Sequence, residues 1–323
     1  MSGRLLGKQK DFSMRLLLQT VVILGMFCSM PVEASYAKPI RVVVWDERQE
    51  AQKQVYPNYL GNALADHLRT FKDKMGNPEF VVQSVSLKDP DQGLSDVTLD
   101  NCDVLLWWGH ARHSEVTKLH VASVVNRIKA GKLSLFALHS AHFSEPFVHA
   151  MEEKAKEDAL NSLPKGDRMK VIFHIIEPHR GFVDINAPLT PSFTTIRNQN
   201  GTVEITLKAP ICCFPDVRED GKPSHVTVLL PDNPIARGVP LHFDINHTEM
   251  YSWPFHVPKP EFSIIDEKWD MGEHFTSGSL WKVGKGEVFY FRPGHETFPV
   301  FKEAAPLKIV ENATRYLGRK RRK

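Results

Sequence analysis

"CDVLLWWGHARHSEVTKLHVASVVNRIKAGKLSLFAL", residues 102–138, contains two apolar runs separated by an amphipathic segment. Neither run alternates apolar with polar residues, which is typical of strands that are covered on both faces of a sheet. The segment between them repeats its apolar residues at helical spacing, and Gly131 marks its end. A strand, a helix and a second strand in this order form a parallel pair. The stretch therefore predicts a parallel α/β sheet with helices packed against it.

The same pattern occurs earlier in the chain. PIRVVVWDE, residues 39–47, is an apolar strand, residues 56–70 have helical spacing, and EFVVQSV, residues 79–85, is another strand. Four strands alternating with helices predict a doubly wound, mostly parallel sheet, which a last helix at 307–317 completes. We therefore assign residues 38–318 to one α/β domain.

Residues 152–209 differ from the rest of this domain because they are richer in Lys, Pro and Asn. They contain a helical segment, the strand MKVIFHII at 169–176 and a hairpin around Asn200-Gly201, a dipeptide typical of tight turns. The α/β pattern resumes with a strand at 226–230. We interpret residues 152–209 as a mixed α+β insertion.

The N-terminal residues 1–37 have the pattern of an export signal. Four basic residues precede an apolar run at 16–30, and small residues follow at Ala34 and Ala37. The run is shorter than the roughly 20 residues that a membrane-spanning helix needs, so we expect cleavage near Ala34 or Ala37 rather than an uncleaved anchor. The prediction is an exported protein, periplasmic or secreted, without a membrane segment after cleavage.

The distribution of charge argues against a nucleic-acid partner. The formal net charge is +3, to which residues 1–37 contribute +2 and the basic tail, residues 319–323, contributes +5. The body between them is therefore at −4, and we interpret the tail as a solvated end. We expect a small-molecule partner, with no nucleic acid and no nucleotide cofactor; homo-oligomerisation stays open.

The cysteines do not form a disulfide framework. Export would remove Cys28, which leaves three, and the adjacent Cys212 and Cys213 could bond to each other only with strain. We expect Cys102, Cys212 and Cys213 to be small, buried apolar side chains.

Polar residues follow the predicted strands, at the edge where ligands bind in sheets of this type. His110 follows the third strand, and HSAHFS, residues 139–144, follows the fourth. Further along, TEMYSWP at 248–254 and FRPGHETFP at 291–299 add carboxylates, a histidine and an arginine. Because the carboxyl ends of parallel strands meet at one edge, we expect these side chains to lie together.

Histidine combined with carboxylate is the ligand set of zinc, manganese and similar divalent ions. For one such ion we assign His139, His295 and Glu296 as ligands. The alternative is that the histidines hydrogen-bond one another and the backbone to form a polar floor for a sugar, over which aromatic rings face the pyranose. For Arg292 a structural salt bridge is the alternative to a substrate contact. The substrate-binding residues that we predict are Trp107, Trp108, Ser140, Tyr251, Trp253 and Arg292.

The turn after the fourth strand has the shape of a nucleophile elbow, with Ser140 at its apex. Leu138 and His142 replace the glycines that usually permit such a turn. The sequence therefore favours a Ser140 hydroxyl that caps the following helix over a Ser140 nucleophile.

Four blocks together resemble the ThuA-like (trehalose utilisation) family: CDVLLWWGHARHSEV, LFALHSAHFS, TEMYSWP and GEVFYFRPGHETFP, in this order. The resemblance covers about residues 40–151 and 210–317. It implies the flavodoxin-like sheet of class I glutamine amidotransferase-like proteins without their catalytic cysteine, because the elbow here carries His139 and Ser140. It also implies carbohydrate metabolism, with trehalose-related disaccharides and 3-keto sugars as the substrate class. The insertion and the export signal depart from the family's compact pattern.

The resulting hypothesis is an exported enzyme that acts on a sugar or 3-keto sugar by metal-assisted proton transfer, as an isomerase, lyase or hydrolase. An ion would polarise a keto oxygen while a side chain moves the proton of the neighbouring carbon. The catalytic residues that we predict are His110, His142 and Glu249. Two alternatives come from other classes: a carbohydrate-binding protein without turnover, and a scaffold protein that uses the insertion as its contact surface.

Overall fold

The computed structural model describes residues 38–319, so the predicted leader and the last four residues lie outside the described range. The first half alternates strands and helices, as predicted. Its elements are β1 (Ile40–Asp46), α1 (Leu60–Arg69), β2 (Phe80–Ser86), α2 (Asp96–Asp100), β3 (Val104–Trp108), α3 (Lys118–Lys129), β4 (Ser134–Leu138) and α4 (Glu145–Asn161).

The second half contains mostly strands and ends in a long helix. Its elements are β5 (Val171–Ile176), β6 (Ser192–Arg197), β7 (Val203–Lys208), β8 (Val217–Arg218), β9 (Ser224–Val228), β10 (His242–Ile245), β11 (Met250–Tyr251), β12 (Phe262–Lys268), β13 (His274–Val283), β14 (Gly286–Phe291) and α5 (Ala304–Arg319). Short 3-10 turns connect several of them, including His139–Phe143 directly after β4.

Nine of these strands form the central sheet, in the order β10-β9-β12-β13-β14-β4-β3-β1-β2. The five strands from β14 to β2 pair in parallel, whereas the pairs from β10 to β14 are antiparallel. Only β9 and β13 therefore run against the other seven. The doubly wound, mostly parallel α/β fold is confirmed.

Helices cover both faces of the parallel strands. On one face α1 and α5 pack against alternate residues of the central strands, and on the other face α3 and α4 pack against the residues between them. Trp107 and Trp108 are neighbours on β3 and therefore belong to opposite cores. This two-sided burial explains why β3 and β4 are apolar along their whole length.

The insertion begins later than predicted, because residue 152 lies inside the continuous helix α4. Phe147, Met151 and Ala155 of this helix are buried, the first two in the core of the central sheet. After α4, strands β5, β7 and β6 form a separate three-stranded sheet, in which β6 and β7 are the predicted hairpin. Gly201 turns this hairpin with a φ of +80°.

Three further sequence predictions can be compared with the described residues. Cys102, Cys212 and Cys213 are buried, as predicted. Arg319, the first residue of the predicted tail, is the last residue of α5; its side chain is exposed and donates a hydrogen bond of 3.2 Å to Glu79. Within residues 38–319, no helix combines the length and the apolar character needed to cross a membrane.

A pH-dependent contribution to stability is expected at the start of α4. His149 lies 3.4 Å from both Glu145 and Glu152, and these contacts raise the pKa of His149 to about 9. A raised pKa means that the contribution is complete below the ordinary value of 6.5 and is lost as the pH rises from 6.5 to about 9. The free energy of unfolding, measured by urea denaturation across this range, should fall more in the wild type than in His149→Gln. Parallel curves for the two proteins would contradict this.

Candidate active site

Four of the predicted polar residues, His110, His139, His295 and Glu296, meet at the carboxyl ends of the adjacent strands β14, β4 and β3. The turn after β4 begins at His139, whose φ of +54° lies in the left-handed region. The apex of the elbow is therefore His139 and not Ser140. Gly294, after β14, packs beside this turn: a Cβ there would lie 2.7 Å from the Phe301 ring, so only glycine leaves space for that ring, and it would lie in ordinary contact with His139 at 3.7 Å. The helix cap predicted for Ser140 is instead Ser144, which accepts from the Phe147 N–H.

Three histidines face one another at this edge. The ring centroids of His110, His139 and His295 are 5.0 to 5.3 Å apart. Together with Glu296 they offer one ligand atom each, and these atoms all lie within 4.8 Å of one another. The convergence predicted from the sequence is present for these four residues, and their donor set suits a divalent ion.

Hydrogen bonds orient the ring of His139. Its Nδ1 lies 3.3 Å from the carbonyl oxygen of Arg292 and 3.4 Å from the Tyr251 hydroxyl. A carbonyl can only accept, so Nδ1 carries the proton and Nε2 keeps its lone pair. Nε2 is buried, has no hydrogen-bond partner among the described residues and lies 3.5 Å from Oε2 of Glu249. This is the arrangement of a metal-binding histidine, whose other nitrogen is held by a carbonyl.

Glu249 brings a buried carboxylate to the same place. It is 3% exposed, and its Oε2 accepts no hydrogen bond from the described residues. Burial raises its pKa to about 7, against the opposing charges of His110 and Arg292. An oxygen lone pair and a nitrogen lone pair 3.5 Å apart repel each other unless a proton or a cation lies between them. Glu249 is therefore suited to hold a proton or to bind an ion.

His110 and Glu296 form an ion pair within the cluster. Nδ1 of His110 lies 2.8 Å from the Glu296 carboxylate. Burial disfavours the charged forms of both residues, but their contact with each other stabilises these forms more. The pKa of His110 is therefore raised and that of Glu296 is lowered. Burial lowers the pKa of His139 and His295, which keeps both imidazoles in the neutral form that binds metals.

Arg292 is a structural residue, which corrects its assignment as a substrate contact. It is fully buried and binds Glu267 through two hydrogen bonds of 2.5 and 2.6 Å. The same guanidinium donates to the Thr248 hydroxyl at 2.9 Å and to the Glu249 carbonyl. Arg292 therefore holds the segment that carries Glu249 and has no side available to a substrate.

Trp107 and Trp108 are also not substrate contacts, because both are buried in the two cores. Trp107 stacks on Trp45 with ring centroids 3.8 Å apart. Trp108 donates to the carbonyl of Gly294 at 2.9 Å and so anchors the loop that carries His295. The two tryptophans help to fix the position of the site, and neither offers a ring face to a sugar.

The remaining predicted substrate contacts lie at different depths. Tyr251 is buried, and its hydroxyl lies 3.1 Å from the Ser140 hydroxyl beside His139. Trp253 is 41% exposed and lines a separate apolar cavity of about 370 Å³, together with Leu189 and Phe193 of the insertion. Ser140 and Tyr251 therefore belong to the cluster, whereas Trp253 faces another surface.

His142 does not belong to the metal-ligating group. Its Nδ1 donates to the Cys212 carbonyl at 2.7 Å, and Phe143, Phe214 and Phe255 surround its ring. Burial lowers its pKa to about 3, so it stays neutral. These surroundings fit a core histidine better than the proton carrier predicted from its position after β4.

Two further carboxylates contribute to the site: Glu47, a secondary candidate from its position at the end of the first predicted strand, and Glu219, which has no clear signal in the sequence. Glu47 is buried and accepts from the backbone N–H groups of Ala111 and Arg112 at 2.9 and 3.1 Å, which fixes the loop next to His110. Glu219 is exposed, and its carboxylate lies within 4.8 Å of ligand atoms of Glu249 and His295. The pairing of β8 with β11 brings it there, and two-residue strands leave no periodic signal in a sequence.

Comparison with known proteins identifies the family. The family model ThuA, described as trehalose utilisation, matches residues 41–317. The chain belongs to the ThuA family. No curated protein matched the chain.

Solved structures share the fold at low sequence identity. A protein described as ThuA-like from Bacteroides uniformis is 14% identical and has a TM-score of 0.51, over 88% of this chain and 94% of that one. A second ThuA-like protein, from Parabacteroides merdae, is 11% identical, with a TM-score of 0.48 over 87% and 90% of the two chains. A protein from Thermoplasma acidophilum that is described as a GMP synthase component is 11% identical, with a TM-score of 0.40 over 89% and 98%. At these identities, the likeness to the first structure supports the fold alone.

The structural role of Arg292 in this ThuA-family chain can be tested by Arg292→Met. The substitution leaves Glu267 as an unpaired buried charge, so the free energy of unfolding should fall by about 3–5 kcal/mol in urea denaturation. Replacing both partners by methionine should recover much of this loss. Arg112→Met, which breaks an exposed pair with Glu115, is the control and should cost much less. Unchanged stability of Arg292→Met with weakened sugar binding would instead favour a substrate contact.

Proposed function

We propose that this ThuA-family chain is an enzyme of carbohydrate metabolism that moves a proton on the carbon next to a keto group of a sugar or 3-keto sugar. The substrate class follows from the family, which is described as trehalose utilisation. The observation that carries the proposal is the convergence of three histidines and Glu296 next to the buried carboxylate of Glu249, whose Oε2 has no hydrogen-bond partner among the described residues.

The residues present fit a divalent ion. Nε2 of His139 is buried without a hydrogen-bond partner among the described residues, and the nearby donors are nitrogen and carboxylate oxygen. His139, His295 and Glu296 would hold zinc or manganese, with His110 as a further ligand or as a proton carrier. When bound, the ion polarises a keto oxygen and so acidifies the neighbouring C–H bond.

Proton transfer is assigned to Glu249. Its Oε2 faces the His139 side of the cluster, and its segment is fixed by Arg292 and by the pairing of Met250 with Arg218. A carboxylate that is held in place and shielded from water can take a proton from carbon and return it. The Ser140 and Tyr251 hydroxyls lie beside His139, where they can hydrogen-bond the hydroxyl groups of a sugar.

Exchange of the carbon-bound proton tests this function directly. In D₂O, the wild type should exchange the proton next to the keto group of 3-keto-trehalose, observed by NMR. Glu249→Gln preserves the shape of the side chain but removes the base, so exchange should slow by about 10²–10⁴-fold. Removal of divalent ions with a chelator should stop exchange, and zinc or manganese should restore it.

Glu311→Gln is the matched control, because Glu311 is a buried glutamate on α5, outside the cluster. It should exchange the proton at the wild-type rate. Full exchange by Glu249→Gln would remove Glu249 from this role, and full exchange by the metal-stripped protein would remove the ion.

We further propose that residues 1–37 direct export. The support is the basic start, the apolar run and the small residues at Ala34 and Ala37. Expression of the full chain in a bacterial host should give a mature protein that begins at Ser35 or Lys38, as read by N-terminal sequencing. A protein that keeps Met1 in the cytoplasm would contradict export.

A further inference from the structure

A second group of potential ligands adjoins the histidine cluster. Ligand atoms of Glu219, Glu249 and His295 lie within 4.8 Å of one another, as do those of His110, His139, His295 and Glu296. His295 belongs to both groups. For a single ion, His139, His295 and Glu296 are the proposed ligands; with two ions, His295 serves the second position and His110 replaces it at the first. The six residues then divide into two adjacent triads: His110, His139 and Glu296 form the first, and Glu219, Glu249 and His295 form the second.

A short antiparallel ribbon builds the second triad. Met250 of β11 pairs with Arg218 of β8, and one residue beyond this pair lie Glu249 and Glu219. Arg218 forms ion pairs with Asp220 and Glu273, which hold the ribbon to β13 and its turn. The two carboxylates are therefore brought together by backbone pairing, with Glu249 buried and Glu219 open to solvent.

The charge of Glu249 is only partly balanced by the residues around it. Burial raises its pKa, while the charges of His110 and Arg292 lower it. The hydrogen bonds of the Arg292 guanidinium go to Glu267, the Thr248 hydroxyl and the Glu249 carbonyl, and not to the Glu249 carboxylate. Oε2 of Glu249 is buried and has no hydrogen-bond partner within residues 38–319. Two carboxylate oxygens within 4.8 Å repel each other, and a cation between them removes the repulsion.

We propose that the site holds two divalent cations, the second of them between Glu219, Glu249 and His295; Glu249 binds it through one carboxylate oxygen and keeps the other for proton transfer. This inference rests on the proposed function and adds to it a substrate class. Each triad supplies three protein ligands and leaves coordination positions open, as catalytic sites do. The two positions adjoin, because Oε2 of Glu249 lies 3.5 Å from Nε2 of His139. Two ions held by these residues would suit a substrate with two neighbouring oxygens, here the keto oxygen and the hydroxyl on the adjacent carbon.

Metal stoichiometry tests the second position without any assay of turnover. The full chain is stripped of metal, titrated with Mn²⁺ and analysed for bound ions per chain and for magnetic coupling by electron paramagnetic resonance. The wild type should bind two ions and show the spectrum of a coupled pair. Glu219→Gln should bind one ion with the spectrum of an isolated Mn²⁺, and because Glu219 is exposed its unfolding transition without metal should be unchanged.

Two further variants make the result specific. Glu177→Gln removes an exposed glutamate of the insertion and should behave as the wild type. His139→Asn removes a ligand of the first triad while keeping a residue that tolerates the left-handed conformation, and it should also bind a single ion. One ion in both the wild type and Glu219→Gln would overturn this inference and leave the proposed function standing. No bound ion in the wild type would overturn both.

Discussion

Helices cover both faces of the central sheet, and this coverage determines where the polar side chains of the candidate site can lie. The middle of each central strand is closed to water, so a charged side chain without a partner would be costly there. Chemistry is therefore confined to the strand ends, where β1, β3, β4 and β14 lie side by side. Each strand delivers polar residues within five positions of its end, and the cluster forms because the strands are neighbours.

Arg292 is a buried charged residue at the end of a central strand, and its contacts fix the residues of the candidate site. A guanidinium at the end of β14 would be costly without compensation, and Glu267 of β12 supplies it from across β13. The remaining donors of Arg292 hold Thr248 and the Glu249 carbonyl, while its own carbonyl oxygen orients His139. One buried ion pair thus sets the position of both groups that face each other in the candidate site.

The sequence predicted the sheet and most of the cluster, because both depend on local patterns. Apolar runs identify the strands. A histidine directly after a strand lies at the edge of the sheet independently of the fold of the remaining chain, as His110 and His139 do. The prediction that Trp107 and Trp108 contact a substrate was wrong, because the two side chains point to opposite faces of the sheet and each is buried in a core. In a strand that is covered on both faces, the sequence does not show whether an aromatic side chain is exposed. The partner of Arg292 comes from a distant strand, and Glu219 depends on a two-residue pairing, so neither could be found without the structure.

Helix α4 crosses the boundary between the α/β domain and the small three-stranded sheet without a break. Its first residues follow the elbow, its middle is buried against β13, and its last turns pack against β7 through Ala159. Seventeen residues of uninterrupted helix make a rod of about 25 Å. A continuous helix, and not a flexible hinge, therefore joins the small sheet to the α/β domain. A displacement of the small sheet would be transmitted along α4 to the turn at His139–Phe143.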